Sequence, residues 1–391
     1  MSKNRVLEQQ IAVFGEGGSG KTVLVSSFYG AAQEPDFVRN SRFHVVADGQ
    51  SQGHRLHQNY LEMRDEGQPP IATRFASTSY SFSIKLRAEL EVEAKSAKSA
   101  KFQALRLVWH DYPGEWFEQG VSGPEESERR VETFRSLLGS DVAFLLVDGQ
   151  RLSDHAGDEE RYLRSLFTNF RNSLLSVRDD LLSNGKPLVD FPRIWVLALS
   201  KSDLLPNWDV ITFRDLLIRK AADEIDNLRS VLAGFVADGQ LLSLGEDFLL
   251  LSSAKFEPQK IEVSRRVGLD LVLPLAAVLP LQYHLRWANT TKVSTEVLKS
   301  LVDSLGGISA LLGMIKKVPL PLKVLKGPLG GILSLALPPI ADLATQLPRK
   351  KVEELVANAS SRHDYIGAVR ADFINDLNDG IEKQVFFRSL A

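Results

Sequence analysis

The stretch Gly15-Glu16-Gly17-Gly18-Ser19-Gly20-Lys21-Thr22 decides the fold of this chain. It matches the pattern G-x-x-x-x-G-K-[ST] at every fixed position, with an apolar strand-like run at 11–14 before it and a helix-like run at 22–29 after it. Glycines let a backbone wrap closely around phosphate oxygens, and the positive end of the following helix also favours an anion. The stretch predicts a phosphate-binding loop; a glycine-rich turn before a helix is the alternative.

Within this loop the polar side chains have separate predicted roles. Lys21 supplies a positive charge to the β- and γ-phosphates, and the Thr22 hydroxyl is a ligand suited to Mg²⁺. We expect the nucleotide phosphates to contact Gly15, Gly17, Gly18, Ser19, Gly20, Lys21 and Thr22.

Composition limits the class of protein. The 391 residues are 44% hydrophobic and 25% charged, as in a globular protein, and the net charge of −2 gives no field that attracts nucleic acid. The chain has no cysteine, which excludes disulfides and thiol catalysis. Because residues 1–5 are polar and do not read as a secretion signal, we expect a cytoplasmic protein.

Buried strand-like runs alternate with helix-like segments along most of the chain. Residues 9–15 are predicted to form a buried strand around an apolar run at 11–14, and the runs at 142–147, 194–199 and 248–251 are apolar throughout. The segments 79–86 and 104–109 are predicted to pair as a hairpin. This order predicts an α/β P-loop NTPase three-layer fold with a mostly parallel sheet. After about residue 286 the strand signal stops, and 291–391 looks helical. We expect a P-loop domain over 1–285 and a helical C-terminal extension over 286–391.

A second motif follows the strand predicted at 104–109. It places Asp111 at the strand's end and Gly114 three residues later. A carboxylate in this position can hold Mg²⁺ directly or through water, and the glycine N–H can bind a γ-phosphate. Because only a nucleoside triphosphate offers that last partner, the loop after Gly114 can act as a switch. An ordinary turn is the alternative.

Two further strand ends carry residues suited to guanine. The strand 194–199 continues into Ser200-Lys201-Ser202-Asp203, and 249–251 leads to Ser253-Ala254-Lys255. The carboxylate of Asp203 can accept hydrogen bonds from the guanine N1–H and N2 amine, which adenine does not offer, and the Lys201 stem can stack on the base. Ser200 stands where small GTP-binding proteins have Asn or Thr in the motif [NT]-K-x-D, so an ATPase remains the alternative.

These four motifs, in this order, resemble the P-loop GTPase superfamily over roughly residues 8–285. The string Asp111-Tyr112-Pro113-Gly114-Glu115-Trp116 is more particular and is similar to that of bacterial YcjX-like proteins and the related double-GTPase families of bacterial conflict systems. The resemblance implies binding of GTP and GDP with Mg²⁺, slow hydrolysis and a conformational switch. It also implies that the Ala254 N–H bonds guanine O6, with Ser253 and Lys255 beside it.

The resemblance also requires a switch threonine that reaches Mg²⁺ and the γ-phosphate. Thr73 is the first choice and Thr78 the second. Glu115 stands where Ras-like proteins carry a water-orienting glutamine, and it either orients water or is structural. Arg74 is a weak candidate for an arginine finger, and His110 is expected to point away from the phosphates.

The segment 304–351 is basic and apolar, with no acid between residues 304 and 341. It has no uninterrupted apolar run of the ~20 residues that span a bilayer. Three interpretations stay open: helices packed on the GTPase domain, an interfacial membrane contact, or a face for a protein partner.

The sequence therefore predicts a bacterial-type regulatory GTPase. Its expected partners are a guanine nucleotide and a protein effector or second GTPase subunit, with a possible contact to the inner face of the membrane through 304–351 and no nucleic acid. The alternatives are a P-loop ATPase, a nucleotide-gated scaffold and a membrane-associated dynamin-like protein.

Overall fold

The computed structural model describes residues 8–70, 78–86, 105–111, 114, 124–182, 186–189, 193–236, 242–257, 260–288 and 362–389. The strands are β1 Glu8–Phe14, β2 Phe43–Ala47, β3 Thr78–Leu86, β4 Leu105–Asp111, β5 Val142–Asp148, β6 Ile194–Ser200, β7 Asp247–Leu251, β8 Lys255–Glu257, β9 Lys260–Glu262 and β10 Phe386–Arg388. The α-helices are α1 Lys21–Ala31, α2 Pro35–Asn40, α3 Gln50–Leu61, α4 Pro124–Gly139, α5 Gly149–Asp154, α6 Glu159–Ser176, α7 Arg178–Leu181, α8 Val210–Ala233, α9 Val272–Ala288 and α10 Arg362–Glu382. A π-helical turn, Glu62–Glu66, continues α3.

Eight strands form one sheet in the order β10-β7-β6-β5-β1-β4-β3-β2. The five strands from β7 to β4 run parallel, and β2, β3 and β10 add antiparallel pairings at the two edges. The predicted hairpin is the β3–β4 pair. Helices cover both faces, so the predicted α/β P-loop fold with a mostly parallel sheet is confirmed.

The central strands are buried on both sides, which explains their continuous apolar sequences. In β1, Ile11 and Val13 face a core shared with α1, α9 and α10, whereas Ala12 and Phe14 face a core shared with α4, α6 and α8. Because successive side chains of a strand point to opposite faces, one strand contributes to both cores. The sheet is thereby fixed between two helical layers.

The C-terminal residues 362–389 pack on the same sheet. Phe373 and Leu377 of α10 join the core that contains α9, and β10 pairs antiparallel with β7. The prediction of helix alone after residue 286 was wrong at 386–388, where three residues are too few to show a strand period. The domain boundary near residue 285 stays a prediction, and residues 304–351 lie outside the described part.

Within the described ranges, no helix is both long enough and apolar enough to cross a membrane.

Candidate functional site

The carboxyl ends of the parallel strands meet at one edge of the sheet, as ligand sites of open α/β sheets require. The loops that leave β1, β4, β6 and β7 bring the four motifs to this edge. They are joined there by the start of α5, which the sequence analysis did not single out.

The phosphate loop connects β1 to α1 through a left-handed residue. Gly20, at the N-terminal end of α1, has a φ of 91°, a conformation that side chains disfavour. The ammonium of Lys21 is buried and donates to the carbonyls of Gly15 and Glu16, each at 2.8 Å. Ser19 is buried beside it, with its hydroxyl 3.4 Å from the Lys21 ammonium. The predicted loop residues therefore form one closed turn around the lysine.

Thr22 and Asp111 come together beside this loop. The Thr22 hydroxyl donates to Asp111 Oδ2 over 2.8 Å, and Asp111 is almost fully buried at the end of β4. An alcohol and a carboxylate are hard oxygen ligands that suit Mg²⁺, which in phosphate sites takes few protein ligands and otherwise uses water and phosphate. Among the described residues, no three or more His, Cys, Asp and Glu side chains lie together where they could hold a metal ion.

Gly114 packs directly against the phosphate loop. A Cβ added to Gly114 would lie 2.2 Å from the Gly17 nitrogen and 2.3 Å from the Glu16 carbonyl carbon. Both are backbone atoms of the loop, so neither can move away as the end of a flexible side chain would. Only glycine allows this approach, which places the predicted γ-phosphate sensor at the loop.

The two motifs predicted to bind the base, after β6 and after β7, contact each other through Asp203. Asp203 Oδ2 accepts a hydrogen bond from the Phe256 N–H at 3.1 Å, and its Oδ1 lies 2.7 Å from the Ser252 hydroxyl. Since that hydroxyl is also 2.6 Å from the Ala254 carbonyl oxygen, it donates to one of the two oxygens at a time. The sequence analysis missed Ser252, although it directly precedes Ser253 of the predicted motif.

The remaining predicted base residues take different positions around Asp203. Ser253 and Ala254 are buried, and the Lys255 ammonium pairs with Glu257 on β8. Ser200 is buried at the end of β6, where its hydroxyl lies 3.3 Å from the Val147 carbonyl oxygen of β5.

Lys201 bonds to an acid that the sequence analysis did not single out. Its ammonium lies 2.8 Å from Asp148 Oδ2, while Asp148 Oδ1 accepts the Gln150 N–H and caps α5. The Asp148 N–H donates to the Tyr162 hydroxyl, whose pKa is raised by burial and by the nearby carboxylates. The signal was an acid closing a buried strand, as in Asp111.

A second ion pair joins α5 to the phosphate loop. Arg151 Nη1 lies 2.9 Å from Glu16 Oε2, and the Glu16 side chain is only 5% exposed. Spacing alone gave no sign of this pair, because the two residues are far apart in the chain.

The expectation for His110 fits its surroundings. The imidazole is buried, its Nδ1 lies 2.8 Å from the Ser79 hydroxyl, and burial lowers its pKa to about 4. Thr78 pairs in register with Asp111 across β3 and β4. Thr73, Arg74 and Glu115 lie outside the described residues, so their predicted roles stay predictions.

A family model named Double-GTPase 2 matches residues 9–231, more than half of the chain. The chain belongs to the Double-GTPase 2 family. The resemblance drawn from the string at 111–116 is thereby confirmed at the level of a double-GTPase family. Double-GTPase membership supports guanine-nucleotide binding and GTPase activity as the coarse function of the chain.

Solved structures show weaker likeness to this double-GTPase. A nucleolar GTP-binding protein 1 from Plasmodium falciparum is 14% identical, with a TM-score of 0.33 and coverage of 78% of this chain and 98% of that one. The Roco2 RocCORdC of Methanosarcina barkeri, bound to GDP, is 10% identical, with a TM-score of 0.25 and coverage of 99% and 97%. The conserved domain of a dynein light intermediate chain is 11% identical, with a TM-score of 0.27 and coverage of 69% of this chain and 72% of that one. No curated protein matches the chain.

Proposed function

We propose that this chain is a Mg²⁺-dependent, bacterial-type regulatory GTPase that works as a conformational switch and hydrolyses GTP slowly. The observation that carries the proposal is the convergence of the end of β4 on the phosphate loop. Asp111 bonds Thr22, and Gly114 packs on the Glu16–Gly17 backbone. A residue that touches this loop can respond to the presence of a third phosphate.

In this proposal each residue around the loop has a defined task. Lys21 and the backbone of 16–22 hold the β- and γ-phosphates, and Thr22, Asp111 and Thr73 hold the metal directly or through water. When bound, Mg²⁺ neutralises charge that develops on the phosphates during transfer. The Gly114 N–H binds the γ-phosphate, so residues after it change position when that phosphate leaves.

Slow turnover follows from the residue next to Gly114. A glutamine orients the attacking water in Ras-like proteins, whereas the sequence has Glu115 at that position, and its negative charge would oppose a phosphate that is already anionic. A second subunit or an effector that contributes a cation would relieve this repulsion. We therefore propose that a protein partner stimulates hydrolysis.

Guanine selection is assigned to Asp203, Lys201 and the loop 253–255. The Phe256 N–H bonds Oδ2 of Asp203, and the Ser252 hydroxyl bonds Oδ1 whenever it is not donating to the Ala254 carbonyl, which limits rotation of the carboxylate. A fixed acceptor pair suits the two adjacent donors of guanine. The Ala254 N–H then serves guanine O6, and the Lys201 stem packs on the ring.

The location of the protein in the cell, the role of 304–351 and the domain boundary are also proposals. We place the protein in the cytoplasm, with 304–351 as a contact for the membrane's inner face or for a partner, and with the GTPase domain ending near residue 285.

The deciding experiment compares nucleotides. Equilibrium binding of fluorescent GTP, ATP and xanthosine triphosphate is measured for the native chain and for Asp203→Asn. Loss of two charge-assisted hydrogen bonds predicts at least about a hundredfold weaker GTP binding. Xanthosine triphosphate should bind more tightly, because an amide can donate to the xanthine C2 carbonyl.

Asp226→Asn, an exposed substitution on α8, is the matched control and should leave all three affinities unchanged. Equal binding of GTP and ATP, unaffected by Asp203→Asn, would make the protein an ATPase or a non-selective scaffold and overturn the guanine assignment.

A further inference from the structure

The phosphate loop of this chain contains an acid where an anion is to be bound. Glu16 is the second residue of the loop, and its carboxylate is buried. Its own carbonyl oxygen accepts from the Lys21 ammonium, so the side chain begins at the backbone that encloses the lysine. A negative charge this close to the loop opposes the binding of phosphates.

Arg151 supplies the opposite charge from a different element. Its Nη1 lies 2.9 Å from Glu16 Oε2, and the guanidinium remains 37% exposed while the carboxylate is enclosed. Arg151 lies near the start of α5, whose first turn is capped by Asp148. The arginine is thus carried on a short helix fixed to the end of β5.

Two other charged residues of the site, Asp148 and Lys21, have partners of their own. Asp148 pairs with Lys201, and Lys21 is bonded to the loop carbonyls. Glu16, Asp148 and Arg151 all act electrostatically on the Tyr162 hydroxyl, which places them in one neighbourhood. Removing the Arg151 charge would therefore leave this neighbourhood more negative by one unit.

We propose that Arg151 is a positioning residue that cancels the charge of Glu16 and thereby sets how strongly the phosphate loop prefers a nucleoside triphosphate over a diphosphate. This inference rests on the proposed function, in which the loop holds the phosphates of GTP. The triphosphate carries the greater negative charge, so it is the more sensitive of the two to an exposed carboxylate in the loop.

The test is a charge cycle read out by binding rather than by turnover. Affinities for GDP and for a non-hydrolysable GTP analogue are measured for the native chain, Arg151→Gln, Glu16→Gln and the double variant. We expect Arg151→Gln to lower the triphosphate-over-diphosphate preference about fivefold. Glu16→Gln should raise it about twofold, and the double variant should return to within about twofold of the native ratio.

Three comparisons separate charge from mere packing. Arg151→Lys keeps the charge and should keep the ratio, and Arg129→Gln, which removes an exposed arginine that pairs with Glu125 on α4, should have no effect. The drop in triphosphate preference in Arg151→Gln should become smaller as the salt concentration is raised, because salt screens the repulsion between Glu16 and the phosphates. A packing role would lower both affinities equally, independently of salt and without rescue in the double variant; that result overturns the inference.

Failure of the inference differs from failure of the proposed function. If the native chain binds neither GDP nor the GTP analogue, the proposed function is wrong. If it binds both and the four ratios are the same, only the role of Arg151 is wrong. Should Arg151→Gln fail to fold, Glu16→Gln still decides, since an unchanged ratio in that variant contradicts the proposal.

Discussion

The ammonium of Lys201 lies 2.8 Å from the carboxylate of Asp148, the residue that closes the neighbouring strand β5. Lys201 has a φ of 52°, in the left-handed region that costs a non-glycine residue about 1 kcal/mol. The ion pair holds the lysine in this unfavourable conformation, where its stem can lie beside a base. In the proposed guanine site, the acid at the end of β5 would support base recognition without needing to touch the base.

Asp148→Asn should weaken GTP and GDP binding equally, by about tenfold. The amide oxygen can still accept the Gln150 N–H and cap α5, so the main loss is the charge that holds Lys201. Equilibrium binding of both nucleotides measures the effect. Asp209→Asn, a substitution at the cap of α8, is the control and should leave both affinities unchanged. A change in the ratio of the two affinities would contradict this role.

Thr22→Val should remove most of the benefit of Mg²⁺ for GTP binding. The variant keeps the side-chain shape but loses the hydroxyl that contacts Asp111, and metal-site substitutions typically cost about 10- to 100-fold. Titration of a GTP analogue with and without Mg²⁺ measures this. Thr212→Val, in the first turn of α8, is the matched control; a native Mg²⁺ effect in Thr22→Val would exclude the hydroxyl as a ligand.

Gly114→Ala should disrupt the apposition of residue 114 and the phosphate loop. The new Cβ would meet the Gly17 nitrogen at 2.2 Å, so one backbone must shift. We expect the difference in proteolytic pattern between the GDP and GTP-analogue states to be lost. Gly139→Ala has open space around its Cβ and should behave as the native protein does. Persistence of both patterns in Gly114→Ala would show that Gly114 does not transmit the switch.

His110 should make the stability of the fold depend on pH. Its folded-state pKa of about 4 is below the ordinary 6.5, so between these values the unfolded chain binds more protons. The stability present at neutral pH is lost as pH falls through this window, by about 2 kcal/mol between pH 7 and pH 5. His110→Phe should remove this part of the pH dependence in urea unfolding.

The control for that measurement is His54→Gln, an exposed substitution on α3 that should retain the native pH dependence. If His110→Phe and the native chain lose stability in parallel between pH 7 and pH 5, the imidazole is not the group that titrates.

The parts of the site that were predictable are those fixed by local sequence. Lys21, Asp111 and Asp203 stand in short motifs at the ends of apolar strands, and the alternation of such strands with helix-like segments predicted the sheet. Asp148 closes an apolar strand and could have been singled out, but its pairing with Lys201 and that of Arg151 with Glu16 could not be predicted, because which strands are neighbours decides both. β10 was missed because three residues carry no period, and only its pairing with β7 defines it.

The pairing of β10 with β7 has a consequence for synthesis of the protein. One edge of the sheet stays open until residues 386–388 have been made, because no earlier segment in the described part occupies that position. An open strand edge invites pairing with another chain. A protein shortened before residue 362 would lack α10 as well and expose Leu271, which packs near Gly380. Lipid binding by such a shortened chain would report a broken core rather than the native surface.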